Sequence, residues 1–153
     1  MAAERQRRFE AGEIKNAKGP SNPSSEPFHL PSRWVWLPLW QTGNIFTGNS
    51  INSSLRAELE TNVEGRPFVA TKDIGYGFDP IDYDNGLTVT LDDQRFNAAG
   101  PNSVFICAEG GSAGRKMAIS DREISFGNKL IANEPWSQIV PRQHLWPRFE
   151  VVI

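Results

Sequence analysis

Residues 103–120 read SVFICAEGGSAGRKMAIS. SVFICA is an apolar run of strand length, rich in residues that suit a pleated, half-buried surface. GGSAG supplies a tight loop and RKMAIS a second run. The segment therefore predicts two strands joined by a Gly-rich loop. A phosphate loop would need four residues between its glycines, then Gly-Lys-Ser/Thr opening a helix. Here Met117 follows Lys116 and a strand comes next, so a hairpin loop is the expected structure. The loop still presents Arg115 and Lys116, and loops carry recognition. Cys107 sits between Ile106 and Ala108 in the apolar run, the setting of a buried, inert thiol.

The pattern extends in both directions. Downstream, ISFGNKLIA predicts two short strands around Gly127. Upstream, NAAGPN reads as a turn and LTVTL as an alternating strand, with Leu87, Val89 and Leu91 on one face. GYGFDPIDYDNG is a Gly- and Asp-rich loop, and RPFVATKDI a strand from Gly65 to Lys72–Asp73. SLRAELE suggests one or two helical turns capped by Ser53 or Ser54. TGNIFTGNSINSS is rich in turn residues. WVWLPLW reads as a strand, demoted to an edge by Pro38. Before it, GPSNPSSEPFHLPS holds four prolines and predicts an extended linker over 19–33. Residues 1–18 predict a polar helix, in which only Phe9 and Ile14 are large and apolar after Met1. Many short strands behind a helical lead give an α+β, mostly β class with a single domain over 34–135 and an atypical tail over 136–153.

Composition narrows the functional classes. The chain has 153 residues, enough for one domain with a real core. Its net charge of −2 disfavours a general nucleic-acid binder driven by bulk positive charge. A single cysteine and two histidines cannot build a Cys/His zinc site, and one cysteine suits a reducing compartment. No apolar run is long enough to span a membrane, and MAAERQRRFE lacks the apolar core of a signal peptide. The expectation is a cytoplasmic protein with no membrane partner. Asp82, Asp84, Gly86 and Asp93 loosely echo a calcium loop, but Gly86 stands at the fifth position and no helices flank it. A solvated turn is the expected structure. Trp34, Trp36 and Trp40 could line a sugar-binding face, although such residues more often pack core and edges. No catalytic constellation, methyltransferase motif or cofactor turn is visible, so an enzyme is not expected.

The order of segments resembles the DNA-specificity subunit of type I restriction–modification systems. RQRRFEAGEIKNAKGP is similar to that family's basic helix, Gly-x-Ile/Leu-Lys turn and proline-rich linker. PFHLPSRWVWLPLWQTGNIFTGNSINS is similar to its domain opening, and GRPFVATKDIG to a recurring strand. SVFICAEGGSAGRKMAIS resembles its hydrophobic strand, Gly-rich loop and Ala-Ile step, and FGNKLIANEP the strand that follows. The resemblance covers about residues 5 to 135. WSQIVPRQHLWPRFEVVI departs from it, which suggests a truncated or remnant form. In that tail, Trp136 and its apolar successors are expected to lack an evolved partner surface.

The resemblance implies a non-catalytic target recognition domain reading one half of a split site in double-stranded DNA. Methyltransferase and restriction subunits would be its partners. S-adenosylmethionine, ATP and Mg would enter only through those partners, with no cofactor in this chain. Base edges are read by Arg, Lys, Asn and Gln, while phosphate contacts set the register. Candidate DNA contacts on loops beside the matched motifs are Thr47, Asn49, Asn52, Lys72, Arg115, Lys116, Asn128 and Lys129. The competing class is a β-rich assembly or binding protein without DNA, such as a virion accessory protein or a carbohydrate-binding module. Composition fits that class equally well.

Overall fold

The computed structural model describes residues 2–14, 28–32, 34, 36–77 and 79–136. In chain order they form helix α1 (Ala2–Glu10), strand β1 (Gly43–Thr47), helix α2 (Ser53–Thr61) and strand β2 (Arg66–Val69). Strands β3 (Thr88–Val89), β4 (Ala98–Ala99), β5 (Val104–Cys107), β6 (Met117–Ile119), β7 (Ile124–Phe126) and β8 (Leu130–Pro135) follow. The class is α+β and mostly β, as expected. The described residues fall into two units. The larger is Ile45–Glu134; the smaller combines the described residues up to Asn44 with Pro135 and Trp136.

The strands make two four-stranded sheets, ordered β1-β8-β5-β6 and β3-β2-β7-β4. The hairpin predicted over 103–120 is present: β5 runs antiparallel to β6, with Val104 opposite Ile119. On its other side β5 pairs antiparallel with β8, Cys107 facing Leu130. In the second sheet β2 runs parallel to β7, placing Val69 opposite Phe126. Parallel neighbours need a long crossover, so this pairing unites distant parts of the sequence.

Side-chain alternation along β2 and β7 sets the layers. Val69, Ile124 and Phe126 join Phe105, Cys107, Leu130 and Ala132 of the first sheet in one buried cluster. The Phe105 and Phe126 rings meet edge to face, centroids 5.0 Å apart. Phe68 points the other way, into a cluster with Leu59 of α2, Leu87, Val89 and Phe96. On that face Arg66 donates to Ser125 Oγ at 2.7 Å and to the Leu91 and Asp93 carbonyls. A buried guanidinium is tolerable because its donors are used. Each fully buried Leu or Phe contributes roughly 1.5–3 kcal/mol.

Several expectations are corrected. Among the described residues of WVWLPLW none forms a strand; Leu39–Gln41 is a 3-10 turn. The first strand is instead GNIFT, where Phe46 packs on Phe126. The strand at 66 stops at Val69, because Thr71–Asp73 turns into a 3-10 helix and the Asp73 carboxylate accepts from Ala70 N–H. β3 is two residues long and Leu91 is exposed, since a turn from Thr90 to Asp93 ends the alternation. Ala98–Ala99, expected in a turn, is a strand; the turn is confined to the residues after it, where Asn102 has φ 69°. Asn52 rather than Ser53 or Ser54 caps α2, its Oδ1 accepting from Leu55 N–H at 2.8 Å.

In the smaller unit, α1 covers only part of the expected 1–18 helix. Residues 11–14 leave the helix, since Gly12 at φ 74° turns the chain, while 15–18, most of the 19–33 linker and the tail beyond Trp136 lie outside the described residues. Trp136 itself is buried, contrary to expectation. Its N–H donates to Thr42 O at 3.1 Å, and the Arg8 guanidinium lies 5.9 Å from its ring centroid.

Candidate nucleic-acid interface

Strand direction brings four loop segments to one end of the larger unit. Because β2 and β7 are parallel, both finish there, and Gly127 N–H donates to Val69 O at 2.9 Å. β5 finishes opposite the start of β8, with Ala108 N–H donating to Lys129 O at 2.8 Å. β6 begins at the same end, after the Gly-rich loop. The segment after β1 arrives through Asn49, which bridges Gly127, donates its N–H to Phe126 O and receives Asn128 N–H. Segments 47–52, 70–77, 108–116 and 127–129 therefore lie together. They carry all eight residues singled out from the sequence.

Those residues are employed differently. The Asn49 side chain is occupied at both ends: Nδ2 donates to Arg95 O at 2.8 Å and Oδ1 accepts from Asn97 N–H at 2.7 Å. Thr47 offers its carbonyl to Asn97 Nδ2 and leaves its side chain exposed. Asn52 is committed to capping α2. Lys72 is exposed, with Nζ 3.8 Å from Asp73 Oδ1. Asn128 and Lys129 are exposed on the turn between β7 and β8, and among the described residues their side chains make no hydrogen bond. Lys116 donates from Nζ to Thr71 O at 3.1 Å. Arg115 is exposed and reaches back to Gly111 O at 3.5 Å.

Tyr76, not singled out from the sequence, organises the last two. It forms a β-bridge with Lys116, and both cations lie over its ring, Arg115 Cζ at 5.4 Å and Lys116 Nζ at 5.2 Å from the centroid. Its hydroxyl is 3.4 Å from Ser112 Oγ. The Ser112 hydrogen bond, then the charges of Arg115 and Lys116, hold its phenol below the usual range. One signal could have revealed it: an aromatic residue between two glycines, Gly75-Tyr76-Gly77, in a loop. The buried Asp73 fixes that loop, since its carboxylate also accepts from Asn85 Nδ2 at 2.7 Å.

Other sequence-level candidates resolve into local structure. Asp82 accepts from Asp84 N–H in a tight turn. Asp93 holds Arg95, whose guanidinium also meets Glu58. Among the described residues no three His, Cys, Asp or Glu side chains group to hold a metal ion. No helix among them is long and apolar enough to cross a membrane. Cys107 is buried. In the smaller unit Trp36 packs edge-on against Phe28, and Arg5 lies 5.7 Å from the Trp40 ring centroid. These two rings are thus already engaged within their own unit.

No family model matches the chain, and no curated protein matches it significantly. Among solved structures it is similar to the HsdS subunit from Thermoanaerobacter tengcongensis, with TM-score 0.57 and 22% identity. The match covers 80% of this chain and 28% of that one. A chain from a structure on complex assembly and conformational transition of the type I R-M system matches with TM-score 0.47 and 21% identity, over 88% of this chain and 31% of that one. The chain thus spans less than a third of either solved chain. The resemblance read from segment order holds at the level of architecture: this chain has the fold of part of an HsdS specificity subunit of a type I restriction–modification system.

Proposed function

We propose that the chain is a non-catalytic DNA reader, one target recognition domain of the type I specificity kind. It recognises half of a split site in duplex DNA for partner methyltransferase and restriction subunits. Those partners supply the chemistry together with S-adenosylmethionine, ATP and Mg. The observation that supports this reading is the convergence of Lys72, Arg115, Lys116, Asn128 and Lys129 at one end of the larger unit, on a fold shared with HsdS. Lysine and arginine suit phosphate and guanine, and asparagine suits adenine. Few cations and a net charge of −2 make the isolated chain a weak binder whose affinity falls with salt.

Selection from a pool of randomised duplexes at low salt tests the reading. Enrichment of a short motif, with binding that weakens steadily as salt rises, is the expected result. A folded protein that retains no duplex at low salt is not a DNA reader. Retention without enrichment would make it a non-specific binder.

A further inference from the structure

Resting on that reading, we infer that Tyr76, Ser112, Arg115 and Lys116 form a preassembled phosphodiester site, which sets register on DNA and does not read bases. Base-edge readout by arginine needs a guanidinium free to reach into a groove and present two parallel donors. Here both cations are drawn back onto a single ring. Arg115 is tethered toward Gly111 O and lies over Tyr76. Lys116 bonds Thr71 O from the opposite loop and lies over the same ring. Two positive charges are thereby held at a fixed place on the surface.

A phosphate suits such a doublet because its oxygens accept from many directions and need no extended reach. The Tyr76 and Ser112 hydroxyls, 3.4 Å apart, share one hydrogen bond, which leaves one neutral O–H donor beside the cations. Tyr76 is half-exposed, so its hydroxyl stands open to a ligand. Its role is positioning: the ring gathers Arg115 and Lys116, and the bridge to Lys116 joins segment 71–77 to the Gly-rich loop. The adjoining turn differs, because Asn128 and Lys129 are exposed and their side chains are not tied back. Direct readout belongs to that turn.

The test measures duplex affinity across a range of salt for several unrelated sequences. It compares the wild type with Arg115→Ala/Lys116→Ala, Tyr76→Phe and Tyr76→Ala. The double variant is expected to lose about tenfold or more on every duplex alike. Its log–log salt slope should be shallower by roughly two, near 0.9 per lost phosphate contact. Tyr76→Ala should move in the same direction, and Tyr76→Phe, which keeps the ring, by less. A loss confined to particular sequences would make these residues base readers and overturn the inference, as would an unchanged salt slope. Amide shifts of Gly110–Lys116 on titration with inorganic phosphate supply a readout independent of DNA. Shifts there in a chain that binds no duplex would leave the anion site standing and remove the DNA reading. Absence of shifts alongside duplex binding with an unaltered slope in the double variant would remove the site alone.

Discussion

From the sequence Asn49 reads as a candidate DNA contact in a turn-rich stretch. The structure commits its side-chain amide to segment 95–97, through Arg95 O and Asn97 N–H, while its backbone carbonyl receives Asn128 N–H. Substitution to Ala removes two side-chain hydrogen bonds in a half-buried place. It should destabilise the protein by about 2 kcal/mol. Urea denaturation should show a lower midpoint with an unchanged slope. The two tyrosines make a second comparison at this scale. Tyr76 is held below its ordinary pKa by the Ser112 hydrogen bond and the nearby cations, whereas burial pushes Tyr83 up. The chain has no other tyrosine. Tyrosinate absorbance should therefore rise in two alkaline phases, Tyr76 first, and Tyr76→Phe should abolish the earlier phase while sparing the later one.

At the scale of elements, the sequence was most readable where contacts are local. The β5–β6 hairpin and the successive strands β7 and β8 were visible because each is an apolar run joined to the next across a glycine-containing turn, although β7 and β8 enter different sheets. β1 was missed for the opposite reason. Its residues, GNIFT, set only Ile45 and Phe46 among turn formers, and what makes them a strand is pairing with β8. The aromatic run just before it carries a stronger strand signal, but Pro38 lacks an N–H and the chain turns into 3-10 geometry. Helix α2 was anticipated, though not its cap. Its stability combines two separable parts, the Asn52 cap and the burial of Leu59 against Phe68, Leu87, Val89 and Phe96. Asn52→Ala should cost about 1 kcal/mol and Leu59→Ala about 3 kcal/mol. Thermal denaturation followed by far-ultraviolet circular dichroism would rank them. Equal effects would contradict the assignment of α2 to that buried cluster.

For the larger unit as a whole, the decisive link is the parallel β2–β7 pair. No local pattern encodes it, which is why the candidate contacts could be named individually but not placed together. Loops 70–77 and 127–129 meet because two strands separated by most of the domain lie side by side. Phe126 occupies that junction, with Phe105 on one side and Phe46 on another. Phe126→Ala should cost roughly 3–5 kcal/mol, a large share of the 5–15 kcal/mol typical of such proteins. The expected outcome is a marked fall in melting temperature together with lost duplex binding. Duplex binding at wild-type strength by a chain that has lost its cooperative transition would show that the assembled loops are not what binds DNA.

The lone cysteine supplies a clock for this architecture. Cys107 closes β5, is shielded from solvent, and directs its thiol toward Glu109 O at 3.3 Å. An alkylating reagent can reach that sulfur only when the strand end and the Gly-rich loop beyond it part, so the rate of modification reports how often they do. Duplex DNA seated across the loop would slow the reaction, whereas agents that merely bind elsewhere would leave it running at its own pace.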